Sequence, residues 1–236
     1  MNKETHPFLE LGKVPNATKL ILGSFPVYSI TLPDSEDKQR IRKSDGTVPF
    51  FYGSCRSSFW GLYHLYIDSR LQVPVKPELA IQSLKNHSIS ISDIISECKR
   101  NGISALDSDL SKRVYNIEMM NEFLNSGVTK ILCTSKGVME MFHDHVVKKS
   151  KTLIYQESES LKWQSQIISK LKGDDSQIKK LICKQYLFKG KTVRLISIPS
   201  PGSPQRQLKQ FGFAGYDWRE YADKYFEFSF KWLNQN

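Results

Sequence analysis

The sequence predicts an α/β fold: a three-layer α/β/α sandwich around a central, mainly parallel sheet of about four strands. Short apolar runs closed by loop-forming residues recur along the chain, and stretches of helical periodicity separate them. The 236 residues, 39% of them hydrophobic, show no shift in composition, so residues 1–236 are expected to form one domain around one core.

Thr18 to Leu22, TKLIL, is a buried strand by its apolar character, closed by Gly23 and followed by Pro26. Ser29 to Pro49 is polar, charged and bounded by turn residues, and reads as an extended loop. Phe59 to Arg70 has helical spacing. Ser88 to Ile91 alternates over four residues, and Ser92 and Asp93, types favoured at helix starts, then open a helix over DIISECKR. Helices are expected over Asn116 to Leu124, Lys136 to Lys148, Ser158 to Lys172 and Tyr216 to Leu233. Strands are expected at Thr129 to Thr134, TKILCT, and Thr192 to Ile198, TVRLISI. In such sheets ligands gather beyond the carboxyl ends of the strands, so the loops after Leu22, Thr134 and Ile198 are where chemistry belongs.

A net charge of +10 and a pI near 9.3 favour a polyanionic partner. Basic residues gather at Lys148, Lys149 and Lys151, at Lys179 and Lys180, and at Lys189, Lys191 and Arg194; each cluster fits a solvated face as well as a phosphate track. Cys55, Cys98, Cys133 and Cys183 form no CxxC pair, and His143 and His145, two apart on a helix, diverge, so no metal cluster is expected. The chain has no long apolar run, and MNKETHPFLE lacks a secretory pattern, so a soluble, cytoplasmic protein without membrane contact is expected.

Three loop segments stand out. Gly23-Ser24-Phe25-Pro26 is a tight turn in which glycine lets backbone amides approach a ligand. Phe50 to Trp60, FFYGSCRSSFW, is dense in aromatics. Phe59 and Trp60 begin a core stripe continuing through Leu62, Tyr63 and Tyr66, whereas Phe50, Phe51 and Tyr52 suit either core or a surface on which a base stacks. Ile198 to Arg206, IPSPGSPQR, is a rigid loop whose Ser200, Pro201, Ser203, Gln205 and Arg206 suit a phosphate or a plain proline-rich turn.

In this order the three loops resemble those of the uracil-DNA glycosylase superfamily. LILGSFP looks like its first motif. FFYGSCRSSFW resembles the Phe-Tyr-Tyr-Gly-His-Pro-Arg-Asn-Arg-Phe-Trp segment of the hypoxanthine-DNA glycosylase branch and, less closely, its counterpart in the mismatch-specific branch. SIPSPGSPQRQ resembles the second motif, and ISISDIISECKRNGISALDSDL is similar to an Asp-initiated helix followed by Arg, a small loop and Ser-Leu-Asp.

The resemblance implies a monomeric DNA-binding hydrolase of base-excision repair that needs no cofactor. It would flip a deaminated or mismatched base, uracil or hypoxanthine, into a pocket and cleave its N-glycosidic bond with water. The implied pocket comprises Gly23, Ser24, Phe25, Pro26, Phe51 and Tyr52, with Phe51 stacking on the base. Arg56, Ser200, Pro201, Ser203, Gln205 and Arg206 would hold the DNA.

The asparagine that positions the attacking water in the two branches falls at Phe25 or Ser57 here, and the histidine that opens the second motif falls at Ile198. Ser57 offers one hydroxyl in place of an amide. Asp34, Asp37 or Asp45 of the Ser29 to Pro49 loop could supply a carboxylate, while Asp93 is expected to cap a helix. Two alternatives stand beside the enzyme: a non-catalytic nucleic-acid-binding protein lacking the water-positioning residue, and a protein of this fold with a changed substrate, such as a free nucleoside or another small ligand.

Overall fold

The computed structural model describes residues 3–31, 46–102, 106–173, 181–202, 211 and 218–235. Its strands are β1 (Lys3–Thr5), β2 (Lys19–Gly23), β3 (Ile89–Asp93), β4 (Ile95–Arg100), β5 (Leu110–Tyr115), β6 (Lys130–Cys133), β7 (Leu153–Tyr155), β8 (Cys183–Phe188) and β9 (Lys191–Ser197). Its helices are α1 (Tyr28–Thr31), α2 (Phe59–Tyr66), α3 (Pro77–Asn86), α4 (Ile117–Ser126), α5 (Lys136–Phe142), α6 (Glu157–Lys170) and α7 (Trp218–Asn234). A π-helical turn, His143–Val147, continues α5.

The central sheet has six strands in the order β3-β2-β6-β9-β8-β7. The four expected from the sequence are its parallel core, β3-β2-β6-β9, and the hairpin strand β8 and the edge strand β7 extend it antiparallel to their neighbours. Register aligns the carboxyl ends of the parallel strands: Gly23 faces Asp93, Leu22 faces Cys133, and Cys133 faces Ser197. Three loops and the one-residue bend from β3 into β4 therefore leave the sheet at one level.

Alternation along the strands builds the three layers. Ile21, Ile89, Ile91, Leu132 and Ile196 point to a core closed by α2, α3, α6 and α7. Leu20, Leu22, Ile131, Cys133 and Leu195 point to the opposite core, closed by α4, α5 and the small sheet β1-β4-β5. Among the described residues no helix is long and apolar enough to cross a membrane.

The helix expected over DIISECKR is instead β4, paired with β1 on one side and β5 on the other. Ile94 and Ile95, β-branched and buried, favour extended backbone, and Asp93 ends a strand rather than capping a helix. Helix α3 has a start signal in its own sequence, Pro77 at the first turn and Glu78 beside it.

Between α2 and α3, Asp68 accepts hydrogen bonds from Ser83 Oγ at 2.7 Å and from the side chain and backbone N–H of Arg70 at 3.0 and 3.2 Å. The Arg70 guanidinium in particular holds the Asp68 carboxyl down at about 2. A carboxyl depressed in the folded state adds stability that is full above its unfolded value near 4 and is lost as pH falls toward 2. Arg70 is largely exposed, so solvent screening limits the effect to about 1–2 kcal/mol. Urea unfolding at pH 5, 3 and 2 should show Asp68→Asn less stable than the parent at pH 5 and matching it at pH 2. A constant difference across that range would refute the linkage.

Candidate active site

The loop after β2 sits where the chemistry was expected. A Cβ on Gly23 would lie 2.0 Å from Asp93 Oδ1 and 2.1 Å from the Tyr52 hydroxyl, so the two oxygens crowd the same space beside its Cα. Tyr52 is half-buried, with a left-handed backbone (φ 53°), and its ring stacks on Phe59 at 4.2 Å. Burial pushes its phenol well above the ordinary range, so it stays protonated and donates to Thr134 Oγ1 at 3.2 Å. Thr134 follows β6, and the contact links two of the strand-end loops.

Asp93 and His6 form a pair that sequence reading missed. His6 Nε2 lies 2.8 Å from Asp93 Oδ2, and the residues are only 6% and 5% exposed. The Phe8 backbone N–H donates to His6 Nδ1 at 3.1 Å, so Nδ1 is the acceptor and the proton sits on Nε2, directed at the carboxylate. A neutral imidazole therefore suffices to hold Asp93. Phe25, Phe51 and Phe8 surround the ring, with centroids at 5.7, 5.2 and 6.1 Å.

A second carboxylate, Asp107, borders the cluster. Burial raises its carboxyl, while a hydrogen bond with Ser24 and the nearby Arg113 and Arg100 charges oppose that rise. Arg100 reaches the same loop from β4: Nη2 donates to the Pro26 carbonyl at 2.7 Å, and Nε lies 3.1 Å from both carboxylate oxygens of Glu4. Gly23 and Ser24 are fixed in addition by their carbonyls, which accept the Ile94 and Ile95 N–H groups.

The aromatic segment divides. Phe50, Phe51, Phe59 and Trp60 are buried, and Trp60 Nε1 donates to the Phe51 carbonyl at 2.8 Å. At 2% exposure Phe51 backs His6 and presents little free ring surface. Gly53 is required sterically, because a Cβ there would meet the Val48 carbonyl oxygen at 2.0 Å. Arg56 is exposed beyond the turn. Ser57 Oγ accepts the Phe59 N–H at 3.3 Å and so helps to start α2. Phe25 is buried against His6.

The proline-rich loop joins the same region. Ser58 donates to the Pro201 carbonyl through both its backbone N–H, at 3.2 Å, and its Oγ, at 2.7 Å. Ser200 is half-buried and Pro201 buried. Ser203, Gln205 and Arg206 lie outside the described residues, as do Asp34, Asp37 and Asp45. Lys179 and Lys180 do too, whereas Lys148, Lys149, Lys151, Lys189, Lys191 and Arg194 are exposed.

Among the described residues, no group of three or more His, Cys, Asp or Glu side chains could hold a metal ion. Two open concavities lie elsewhere. One, of about 400 Å³, is at the amino ends of β2 and β3, beside Lys19 and His87; the other, of about 290 Å³, is near the β8–β9 turn, beside Lys149 and Lys189. Neither touches the Gly23 cluster, whose significance rests on chemistry and position. Asp93 could have been suspected from its register opposite Gly23, but no local signal marks His6 as its partner across 87 positions.

No protein-family model matches the sequence, and no curated protein matches it. Among solved structures, the chain is similar to a solution structure from Methanosarcina acetivorans provisionally assigned as a uracil DNA glycosylase. The two are 16% identical, the match covers 98% of each chain, and the TM-score is 0.49, a low overall similarity from which no residue role is taken.

Proposed function

We propose that the protein is a DNA glycosylase of the uracil-DNA glycosylase type, which flips a deaminated or mismatched base into the Gly23 cluster and hydrolyses its N-glycosidic bond. The observation that carries this reading is the convergence of three sequence-distant loops at the carboxyl ends of the parallel strands. Tyr52 bridges from the aromatic segment over Gly23 to Thr134, and Ser58 binds Pro201 of the proline-rich loop. The described parts of the segments whose order resembles that superfamily are thus tied together near the carboxyl ends of the parallel strands, where ligand sites lie in open α/β sheets. Exposed Arg56 and the net charge of +10 suit a phosphodiester partner. Tyr52, half-buried with one face on Phe59, is better placed than Phe51 to meet a base.

A second reading, a nucleic-acid-binding protein without base release, is favoured by the two positions where the resemblance would place a water-positioning asparagine. Phe25 is apolar and buried, and the Ser57 hydroxyl oxygen is engaged with Phe59. One experiment separates the two. Excess protein is incubated with single- and double-stranded oligonucleotides carrying uracil or hypoxanthine, and abasic sites are then cleaved with alkali. The glycosylase reading expects cleavage at one lesion at least and none in undamaged controls. Salt-dependent binding with no cleavage on any lesion would replace it with the second reading.

A further inference from the structure

We propose that Asp93 is the carboxylate that orients the attacking water and that His6 is its positioning residue, an assignment that rests on the base-excision reading. A water-orienting group needs a fixed acceptor with a free lone pair directed into the site. Asp93 meets both requirements. Its Oδ2 is held by His6 Nε2 at 2.8 Å, while among the described residues nothing hydrogen-bonds Oδ1, which lies beside Gly23 and the Tyr52 hydroxyl. The imidazole cannot turn freely, because the Phe8 N–H fixes Nδ1 and three phenylalanine rings enclose it. The buried Phe25 and Phe51 thus act through His6, as walls that set the direction of the carboxylate.

The step balances without a cofactor. A water placed between Asp93 Oδ1 and the Tyr52 oxygen donates one hydrogen to each, since the Tyr52 proton is directed at Thr134. As the water oxygen bonds to C1′ of the sugar, the C1′–N bond breaks and its electron pair leaves with the base. The water's proton passes to Oδ1, and Asp93 later returns it to solvent or to the departed base. One water is consumed, and Asp93 ends as it began. Asp107, the other carboxylate at the cluster, is engaged with Ser24 and is not needed in this step.

The test is single-turnover base release from the lesion oligonucleotide cleaved by the parent protein, with binding to the same oligonucleotide and thermal unfolding measured in parallel. Asp93→Ala, which removes every side-chain acceptor, is expected to slow release by about 100-fold or more while changing binding less than about threefold. His6→Phe keeps a ring in the aromatic cage but removes the donor, and should slow release by roughly 10- to 100-fold. His6→Gln, which restores an N–H donor, should recover most of that loss. If Asp93→Ala does not fold, Asp93→Asn replaces it: an amide can orient the water but cannot take its proton, so release should still slow by about tenfold or more. A parent protein inert on every lesion overturns the glycosylase reading and this assignment together. An active parent whose Asp93 variant is equally active overturns the assignment and leaves the reading standing. His6→Gln no faster than His6→Phe overturns the role of His6.

Discussion

Gly23→Ala is expected to reduce base release by about 100-fold or more and to destabilise the fold by about 1–3 kcal/mol, because the added methyl group has nowhere to go. Its position would be 2.0 Å from Asp93 Oδ1 and 2.1 Å from the Tyr52 hydroxyl, well inside van der Waals contact. Neither neighbour yields cheaply. Asp93 is tied to His6, and Tyr52 is held by its left-handed backbone, by Phe59 and by Thr134. Relief requires breaking the Asp93–His6 bond or swinging Tyr52 away, and either movement dismantles the arrangement proposed to orient water. Gly61→Ala supplies the control, since a Cβ there meets nothing within 4 Å and Gly61 lies within α2. That substitution should leave activity intact and be neutral or stabilising by about 0.5–1 kcal/mol, through helix propensity. Denaturant unfolding and single-turnover release on both variants check the pair. Parent-like behaviour of Gly23→Ala would mean that Asp93 and Tyr52 move freely, which the site as described does not permit.

The parts of this fold legible in the sequence are those whose signal is local. Strands β2, β6 and β9 are apolar because both faces of the sheet are covered, and a glycine, a threonine or a proline-rich loop marks their ends. Strand β8, CKQYLF, carries Lys184 and Gln185 in buried positions, and its polarity masks it; Lys184 is accommodated by Glu140 at 2.9 Å and Gln185 by Ser160 and Gln156. Strand β7 has three residues, too few for a period. At Asp93 a residue type suited to a helix start competed with the extended preference of Ile94 and Ile95, and pairing with β1 and β5 decided for strand. The same misreading concealed the candidate site. A capping aspartate is spent on backbone amides, whereas a strand-end aspartate in register with Gly23 points its carboxylate at the place where loops converge. The position of the loops was therefore readable from the sheet order, but the acid–imidazole pair between them depends on a contact that only the tertiary fold creates.

Arg100→Met should be the most destabilising of the substitutions considered, by about 3–5 kcal/mol, the range for removing one partner of a buried ion pair. The Arg100 side chain is 2% exposed and the Glu4 side chain 12%, so neither charge has water to fall back on. Arg100 Nε meets both Glu4 oxygens, Nη2 holds the Pro26 carbonyl, and Thr31 Oγ1 donates to the Glu4 carboxylate at 2.6 Å. With Met at position 100, Glu4 would remain a largely buried carboxylate with its guanidinium gone. Most of the cost would be that stranded charge rather than the worth of the bond. Adding Glu4→Gln to Arg100→Met should therefore recover part of the loss, making the double variant more stable than the sum of the singles predicts. The functional consequence follows from Pro26: freeing its carbonyl removes one of the turn's ties to β4, leaving the Ser24 carbonyl on the Ile95 N–H, and loosens Phe25 against His6. A slower base release in the double variant, at a temperature where it is fully folded, would show that the ion pair positions the first loop as well as stabilising the small sheet. An unchanged rate would confine Arg100 to stability.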